Sequence, residues 1–222
     1  MGNRQMLRVV VIATSAWLVG CGGAAGVLPP PPTAGPLPTV ERTYTDASGD
    51  AQADTGTAYD VTQVVTRRLD TAPFGAYDTM EVEIVLAQSV RLPDPGTRAG
   101  GGARLGFRLY LDTDQDGATG PITDPGCTFA GNEFLVNGFD RRLDSGAYEV
   151  QGEPWNGTSG QMVGEASVTR DEVHHTIIRI RVPLSTLGND DGQMRVALRV
   201  GNGDDRTTDC APEAGQAFTT GR

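Results

Sequence analysis

The chain has 222 residues and a formal net charge of -10, from 28 acidic and 18 basic side chains, every basic one being Arg. Proteins that bind nucleic acid neutralise phosphates with a basic surface, so this acidic balance excludes that partner. No apolar run reaches the roughly 18 residues of a spanning helix, which excludes a polytopic membrane protein. The 30 Gly residues argue against a helical bundle.

Residues 1–20 have the pattern of a secretory signal peptide. Arg4 and Arg8 form a positively charged N-terminal region, and Val9–Val19 is a short apolar core. The next four residues, Leu18-Val19-Gly20-Cys21, resemble the bacterial lipobox, in which the Cys is acylated (palmitate is a typical chain) and becomes the mature N-terminus. The resemblance implies a lipoprotein anchored outside the cytoplasm in the cell envelope, at the outer membrane where two membranes exist. The alternative is an ordinary signal peptide cleaved nearby, with Cys21 unmodified.

Residues 21–42 are expected to form the lipidated Cys and a tether, and residues 43–222 one globular domain. Six of the 14 prolines fall between Pro29 and Pro38. Such a run favours the extended polyproline helix, which would let Val27–Thr39 reach up to roughly 40 Å. The alternative is a recognition motif for a proline-binding domain.

The domain shows the period of two that is typical of half-buried strands. Apolar and polar residues alternate in four segments, and four further segments have a weaker pattern. The strong segments are Met80–Leu86, Leu105–Leu111, Ile178–Val182 and Met194–Val200, and the weak ones are Val61–Leu69, Glu133–Asn137, Ala147–Gln151 and Gln161–Thr169. Only Pro183–Leu187 suggests a helical turn. We therefore expect an all-β fold, an antiparallel, jelly-roll-like β-sandwich of about eight strands.

Two further cysteines, Cys127 and Cys210, lie in the domain. Because exported proteins fold in an oxidising compartment, a disulfide between them is expected. The alternative is two free or separately buried thiols. Two distant Cys and the adjacent pair His174-His175 do not form a zinc ligand cluster.

The stretch that follows Leu111 has three carboxylates at a spacing of two: Asp112, Asp114 and Asp116. Like charges so close repel one another, and calcium relieves this by binding six to eight oxygens around a turn that Gly117 permits. The pattern resembles the first half of an EF-hand loop, with the carbonyl of Ala118 next. The twelfth position is Thr123 instead of Glu, so other residues must complete the shell. The candidates are Asp124, Glu133 and Asp140. The alternative is a solvated acidic turn.

A second acidic stretch opens the domain. Asp46-Ala47-Ser48-Gly49-Asp50, with Asp60, is a weaker candidate calcium loop. The alternative is a plain turn closed by an Asx hydrogen bond.

The order of these motifs resembles exported domains of the DOMON and family 9 carbohydrate-binding-module group, from about Thr43 to Thr219. The matching segments are Asp46–Asp50, Tyr59–Val61, Leu111–Gly120, Gly131–Phe134, Val182–Leu184 and Asp209–Pro212. The resemblance implies a jelly-roll-like sandwich with a structural calcium and a binding role in place of catalysis. It transfers no sugar site, because the aromatic platform residues cannot be matched one by one.

Trp155, placed by its surroundings in a loop, is the candidate ligand-binding residue, since an exposed Trp can stack on a sugar ring. Its alternative role is to cover the end of the core. No Gly-x-Ser-x-Gly elbow is present, and the acids offer no distinguished catalytic pair, so we do not expect an enzyme. The expected function is a tethered, calcium-stabilised binding domain for a glycan or an envelope partner. The alternatives are a structural or assembly lipoprotein without a small ligand and an exported hydrolase.

Overall fold

A computed structural model describes residues 37–51, 59–71, 76–89, 105–124, 127, 129–142, 148–171, 176–202, 206–213 and 215–220. The predicted signal peptide, Cys21, most of the tether and the His pair lie outside these residues. Within them, no helix is long and apolar enough to cross a membrane.

The described residues form an all-β fold, as predicted, and every strand pair is antiparallel. There are fourteen strands and one 3-10 helix in this part of the chain. The strands are β1 Val40–Thr45, β2 Val61–Leu69, β3 Thr79–Leu86, β4 Leu105–Asp112, β5 Gly120–Asp124, β6 Phe129–Gly131, β7 Phe134–Arg142, β8 Tyr148–Asn156, β9 Gln161–Met162, β10 Ser167–Arg170, β11 Ile177–Pro183, β12 Arg195–Asn202, β13 Arg206–Ala211 and β14 Phe218–Thr219, and the helix is Leu184–Leu187. The excess over eight comes mainly from strands too short to show a period.

Two sheets carry the fold. Sheet A has the order β1-β2-β3-β11-β10, and sheet B has the order β13-β12-β4-β7-β8-β9 with β14 also paired to β12. Strands β5 and β6 form a separate two-stranded hairpin. The chain therefore passes repeatedly between the sheets, as in a sandwich.

The core lies between the two sheets and is built by the predicted alternation. From sheet A, Met80, Val82 and Ile84 are fully buried, while Leu109 and Leu111 are fully buried from sheet B. All five belong to one continuous apolar cluster. Burial of this kind is the main favourable term in folding, at roughly 25 cal/mol per Å² of apolar area.

The last residues that were expected to belong to the tether lie in a strand. Strand β1 begins at Val40, and the backbone N–H of Leu37 donates a hydrogen bond of 2.8 Å to Asp70. The last residues assigned to the tether are therefore part of sheet A. The expected helical turn is the 3-10 helix, which Pro183 precedes and Gly188 ends with a φ of 78°.

A second, smaller apolar cluster lies on the outer face of sheet B. Tyr110 and Ala197 point outward and are covered by Phe129 and Cys127 from the β5–β6 hairpin. Cys127 and Cys210 form the expected disulfide, with their Cα atoms 5.7 Å apart. This bridge ties the hairpin to β13 at the edge of sheet B.

Candidate functional site

Three acidic side chains meet at the end of β4, and we call them the β4 acid group: Asp112, Asp114 and Glu133. One carboxylate oxygen of each lies within 4.8 Å of the others. The antiparallel pairing explains the meeting, because Phe134 of β7 pairs with Leu111 of β4. The N–H of Glu133 donates to the carbonyl of Leu111 at 3.1 Å. This bond brings Glu133 beside Asp112 and Asp114, which follow Leu111 in the chain.

Asp112 is the buried member of this group, with 1% of its surface exposed. Its Oδ2 accepts a hydrogen bond of 2.5 Å from Nε of Arg195, while its Oδ1 is buried and has no hydrogen-bond partner among the residues that the structure describes. Burial raises the pKa of Asp112 to about 6, although Arg195 acts in the opposite direction. An unpartnered carboxylate oxygen in a buried place is costly unless a ligand completes it.

The other two members are held by the loop between β4 and β5. Asp114 Oδ1 accepts from the N–H of Asp116 at 2.8 Å, and its Oδ2 accepts from the Thr119 hydroxyl at 2.8 Å. These bonds lower the pKa of Asp114. Glu133 Oε2 accepts from the N–H of Thr113 at 2.8 Å. Both carboxylates are therefore oriented by the backbone of one turn.

Among the other predicted ligands of this site, Asp116 does not join the β4 acid group. Its Oδ1 accepts from the N–H of Ala118 at 3.0 Å, so it closes its own turn. Alternation of carboxylates along a loop cannot reveal which of them turns back on the backbone. Asp124 ends β5, but its side chain is outside the described residues, as is that of Asp140.

The charge of the site suits a divalent cation. Three carboxylates and the guanidinium of Arg195 leave a net charge of minus two, which one divalent ion balances. Oxygen donors of this kind are the ones that calcium prefers. An open cavity of about 210 Å³, lined by Asp112, Arg195 and Asn132 among others, lies beside the group and offers an entry path. The residues present therefore fit the expected ion.

A second set of acids, Asp50, Asp60 and Asp209, also has one oxygen from each within 4.8 Å of the others. Burial, followed by the charge of Asp209, raises the pKa of the neighbouring Asp46 to about 7. Burial likewise raises the pKa of Asp209 to about 6. Sequence reasoning named Asp46, Asp50 and Asp60 for this place and missed Asp209. Strand β13 carries no period that would pair it with the start of the domain.

Trp155 lies in strand β8 and not in a loop, which corrects the sequence expectation. Pairing across sheet B places it in an outward row with apolar side chains, because paired residues share a face. The members of this apolar row are Ala197, Tyr110, Leu135, Trp155 and Met162. Trp155 is partly exposed at the open end, next to Met162, which is 54% exposed.

The adjacent row on the same face is polar. Its members are Arg199, Arg108, Asn137 and Glu153, all partly exposed. The outer face of sheet B thus sets one aromatic ring beside a row of hydrogen-bonding side chains. The Trp155 Nε1 atom itself is buried and has no partner in the described part of the chain, so it is the ring and not the N–H that can meet a ligand.

The chain matches no protein-family model and no curated protein.

Proposed function

We propose that this chain is a lipid-anchored, extracytoplasmic protein of a bacterial envelope whose β-sandwich is stabilised by calcium and binds a glycan. The observation that carries the metal part is the β4 acid group, above all the buried and unpartnered Oδ1 of Asp112. The lipobox-like tetrapeptide at Cys21 supports the anchored location.

Calcium is favoured over zinc by the donors. The group offers only carboxylate oxygens, whereas structural zinc sites are built from Cys and His. Calcium binds six to eight oxygens, so backbone carbonyls or waters would complete the shell around Asp112, Asp114 and Glu133. When bound, the ion would cross-link the end of β4 to the segment that enters β7.

The metal proposal predicts that calcium stabilises the full-length chain. At free calcium 100 times the dissociation constant, linkage contributes ~2.7 kcal/mol. For a domain of this size that is roughly 5–10 °C in melting temperature. We expect a chelator to remove this gain, and added calcium to restore it, in thermal unfolding followed by circular dichroism.

Asp114→Asn and Asp116→Asn form a matched pair for this experiment. Both remove one negative charge from the same loop, but only Asp114 belongs to the β4 acid group. We expect Asp114→Asn to reduce the calcium-dependent rise in melting temperature and Asp116→Asn to retain that rise. Identical melting curves with and without chelator would contradict the proposal.

The glycan part rests on the outer face of sheet B. Sugar recognition needs an aromatic face for the ring and polar side chains for the hydroxyl groups. Trp155 supplies the first, and Asn137, Glu153 and Arg108 in the adjacent row supply the second. An assembly partner would instead call for a large, flat apolar patch.

We expect Trp155→Ala to weaken binding on a glycan array by about tenfold, because a stacked ring contributes ~0.5–1.5 kcal/mol beyond its buried area. Trp155→Phe keeps an aromatic face and should retain part of the affinity. Ser185→Ala, an exposed change beyond sheet B, is the control. Equal binding by wild type and Trp155→Ala, or binding to no glycan at all, would contradict this part of the proposal.

A further inference from the structure

The second acidic set, which we call the N-terminal acid group (Asp50, Asp60 and Asp209), is assembled by the fold alone. Asp50 follows β1, Asp60 precedes β2, and Asp209 lies in β13. The link to β13 is direct, because Oδ2 of Asp209 accepts from the N–H of Val61 at 2.6 Å across 148 residues of sequence. Three chain segments thus direct carboxylates to one point.

Backbone donors hold Asp60 by one carboxylate oxygen and Asp209 by both. Asp60 Oδ2 accepts from the N–H of Gly49 at 2.8 Å, and Asp209 Oδ1 accepts from the N–H of Cys210 at 2.7 Å. Both residues are more than nine-tenths buried, at 8% and 6% exposure. Such bonds orient the carboxylates without neutralising their charge.

Three carboxylate oxygens at this place have no hydrogen-bond partner among the described residues. They are Oδ1 of Asp60, Oδ1 of Asp50 and Oδ2 of the adjacent Asp46, and all three are buried. Among the described ion pairs, none includes an acid of this group. Buried carboxylates ordinarily pair with a cation or bind a metal.

We propose that Asp50, Asp60 and Asp209 bind a second divalent cation of the calcium class, with Asp46 as a neighbouring fourth carboxylate. This ion would join the segment after β1 and the start of β2 to β13, directly beside the Cys127–Cys210 disulfide. It would close the sandwich where the N-terminal strands meet sheet B. The site does not depend on the β4 acid group or on any glycan.

The two acid groups lie at opposite ends of β12. Arg195, the partner of Asp112, begins that strand, whereas Asp209 pairs with Val200 five residues further on. At about 3.4 Å per residue the separation along the strand is roughly 17 Å. The two ions would therefore bind separately, and their loss can be measured separately.

Calorimetric titration of the chelator-treated full-length chain in detergent with calcium chloride tests the proposal. We expect two calcium ions per wild-type chain, one for Asp60→Asn and one for Asp114→Asn. An Asn at position 60 can still accept from the N–H of Gly49, so the turn should survive. Asp50→Asn is a second variant with the same expected loss of one ion, and Asp191→Asn, an exposed acid outside both groups, should retain two.

The number of calcium ions that each variant binds distinguishes this second site from the site proposed at the β4 acid group. If Asp60→Asn and Asp50→Asn each bind as many ions as wild type, the second site is wrong, whatever Asp114→Asn does. If Asp114→Asn alone leaves the count unchanged, the β4 site fails and the second site stands.

Discussion

At the scale of single residues, one close approach in sheet B depends on a glycine. Gly138 of β7 pairs with Phe107 of β4, and a Cβ at position 138 would lie 1.9 Å from Cζ of the Phe107 ring, far inside van der Waals contact. Phe107 is 3% exposed and belongs to the main core. The ring can occupy this place only because position 138 has no side chain.

We therefore expect Gly138→Ala to lower the free energy of unfolding by ~1–3 kcal/mol, the usual cost of overpacking. The matched control is Gly106→Ala on neighbouring β4, where the nearest atoms to an added Cβ are carbonyl oxygens 3.9 Å away. That change should be neutral or stabilise by up to about 1 kcal/mol, because Gly is unfavourable inside a strand. Urea unfolding measures both, and equal effects of the two variants would show that the Phe107 contact is not the cause.

At the scale of elements, the outer face of sheet A is joined by ion pairs between neighbouring strands. Arg67 of β2 contacts Glu81 of β3 at 2.8 Å, and Arg181 of β11 contacts the same Glu81 at 2.6 Å. Glu83 is shared in the same way by Arg67 and Arg179, at 3.3 and 2.6 Å. Glu81 is only 3% exposed, so these pairs are partly shielded from water.

Because of these ion pairs, the free energy of unfolding depends on pH in the acid range. Burial alone would raise the pKa of Glu81, but hydrogen bonds from Arg181 and Arg67 outweigh it and lower that pKa below the ordinary 4.5. A depressed folded-state pKa stabilises the fold above pH 4.5, and this contribution is lost as the pH falls through the folded value.

We expect Arg67→Met to lower the free energy of unfolding at pH 7 by ~1.5–3 kcal/mol, the range for hydrogen bonds to charged groups. The difference from wild type should narrow at pH 3, because the stabilisation that comes with the lowered pKa of Glu81 is lost progressively as the pH falls below 4.5. Arg181→Met should cost less, because the Arg181 side chain is 55% exposed and its pairing is screened by water. Denaturant curves at both pH values measure this, and a wild-type difference that is the same at pH 3 and pH 7 would contradict it.

At the scale of the whole molecule, the net charge would act against the proposed lipid anchor. The chain carries a net charge of -10, which anionic lipid headgroups repel. If the chain is a lipoprotein as proposed, its membrane retention would come from acyl chains on Cys21, since several chains anchor stably where charge does not.

We expect Cys21→Ser to release the protein from the membrane fraction, because no acyl chain can be attached. Fractionation and immunoblotting measure this, with high salt as a control for electrostatic adhesion. A Cys21→Ser protein that still sediments with membranes, in high salt as well, would contradict the lipoprotein proposal.

Strand content could be predicted from the sequence because it depends on local alternation. Val61–Leu69 was predicted with the bounds that β2 has, and the segment around Leu105–Leu111 differs from β4 by one residue. The short strands β5, β6 and β14 were not predicted, since two to five residues show no period. They form through pairing with a partner strand, β5 with β6 and β14 with β12.

The candidate sites, like the strands, could be predicted from the sequence only in part. The sequence alone indicated an all-β domain, an export signal with a Cys to be acylated, and acidic turns suited to a cation. Only the tertiary structure decided that Glu133 joins Asp112 and Asp114 while Asp116 does not, that Asp209 meets Asp60, and that Trp155 lies on a sheet face. The physical reason is that composition and periodicity record each residue's local preferences. Which carboxylates share one point depends on strand register, and register is set by the packing of both sheets together.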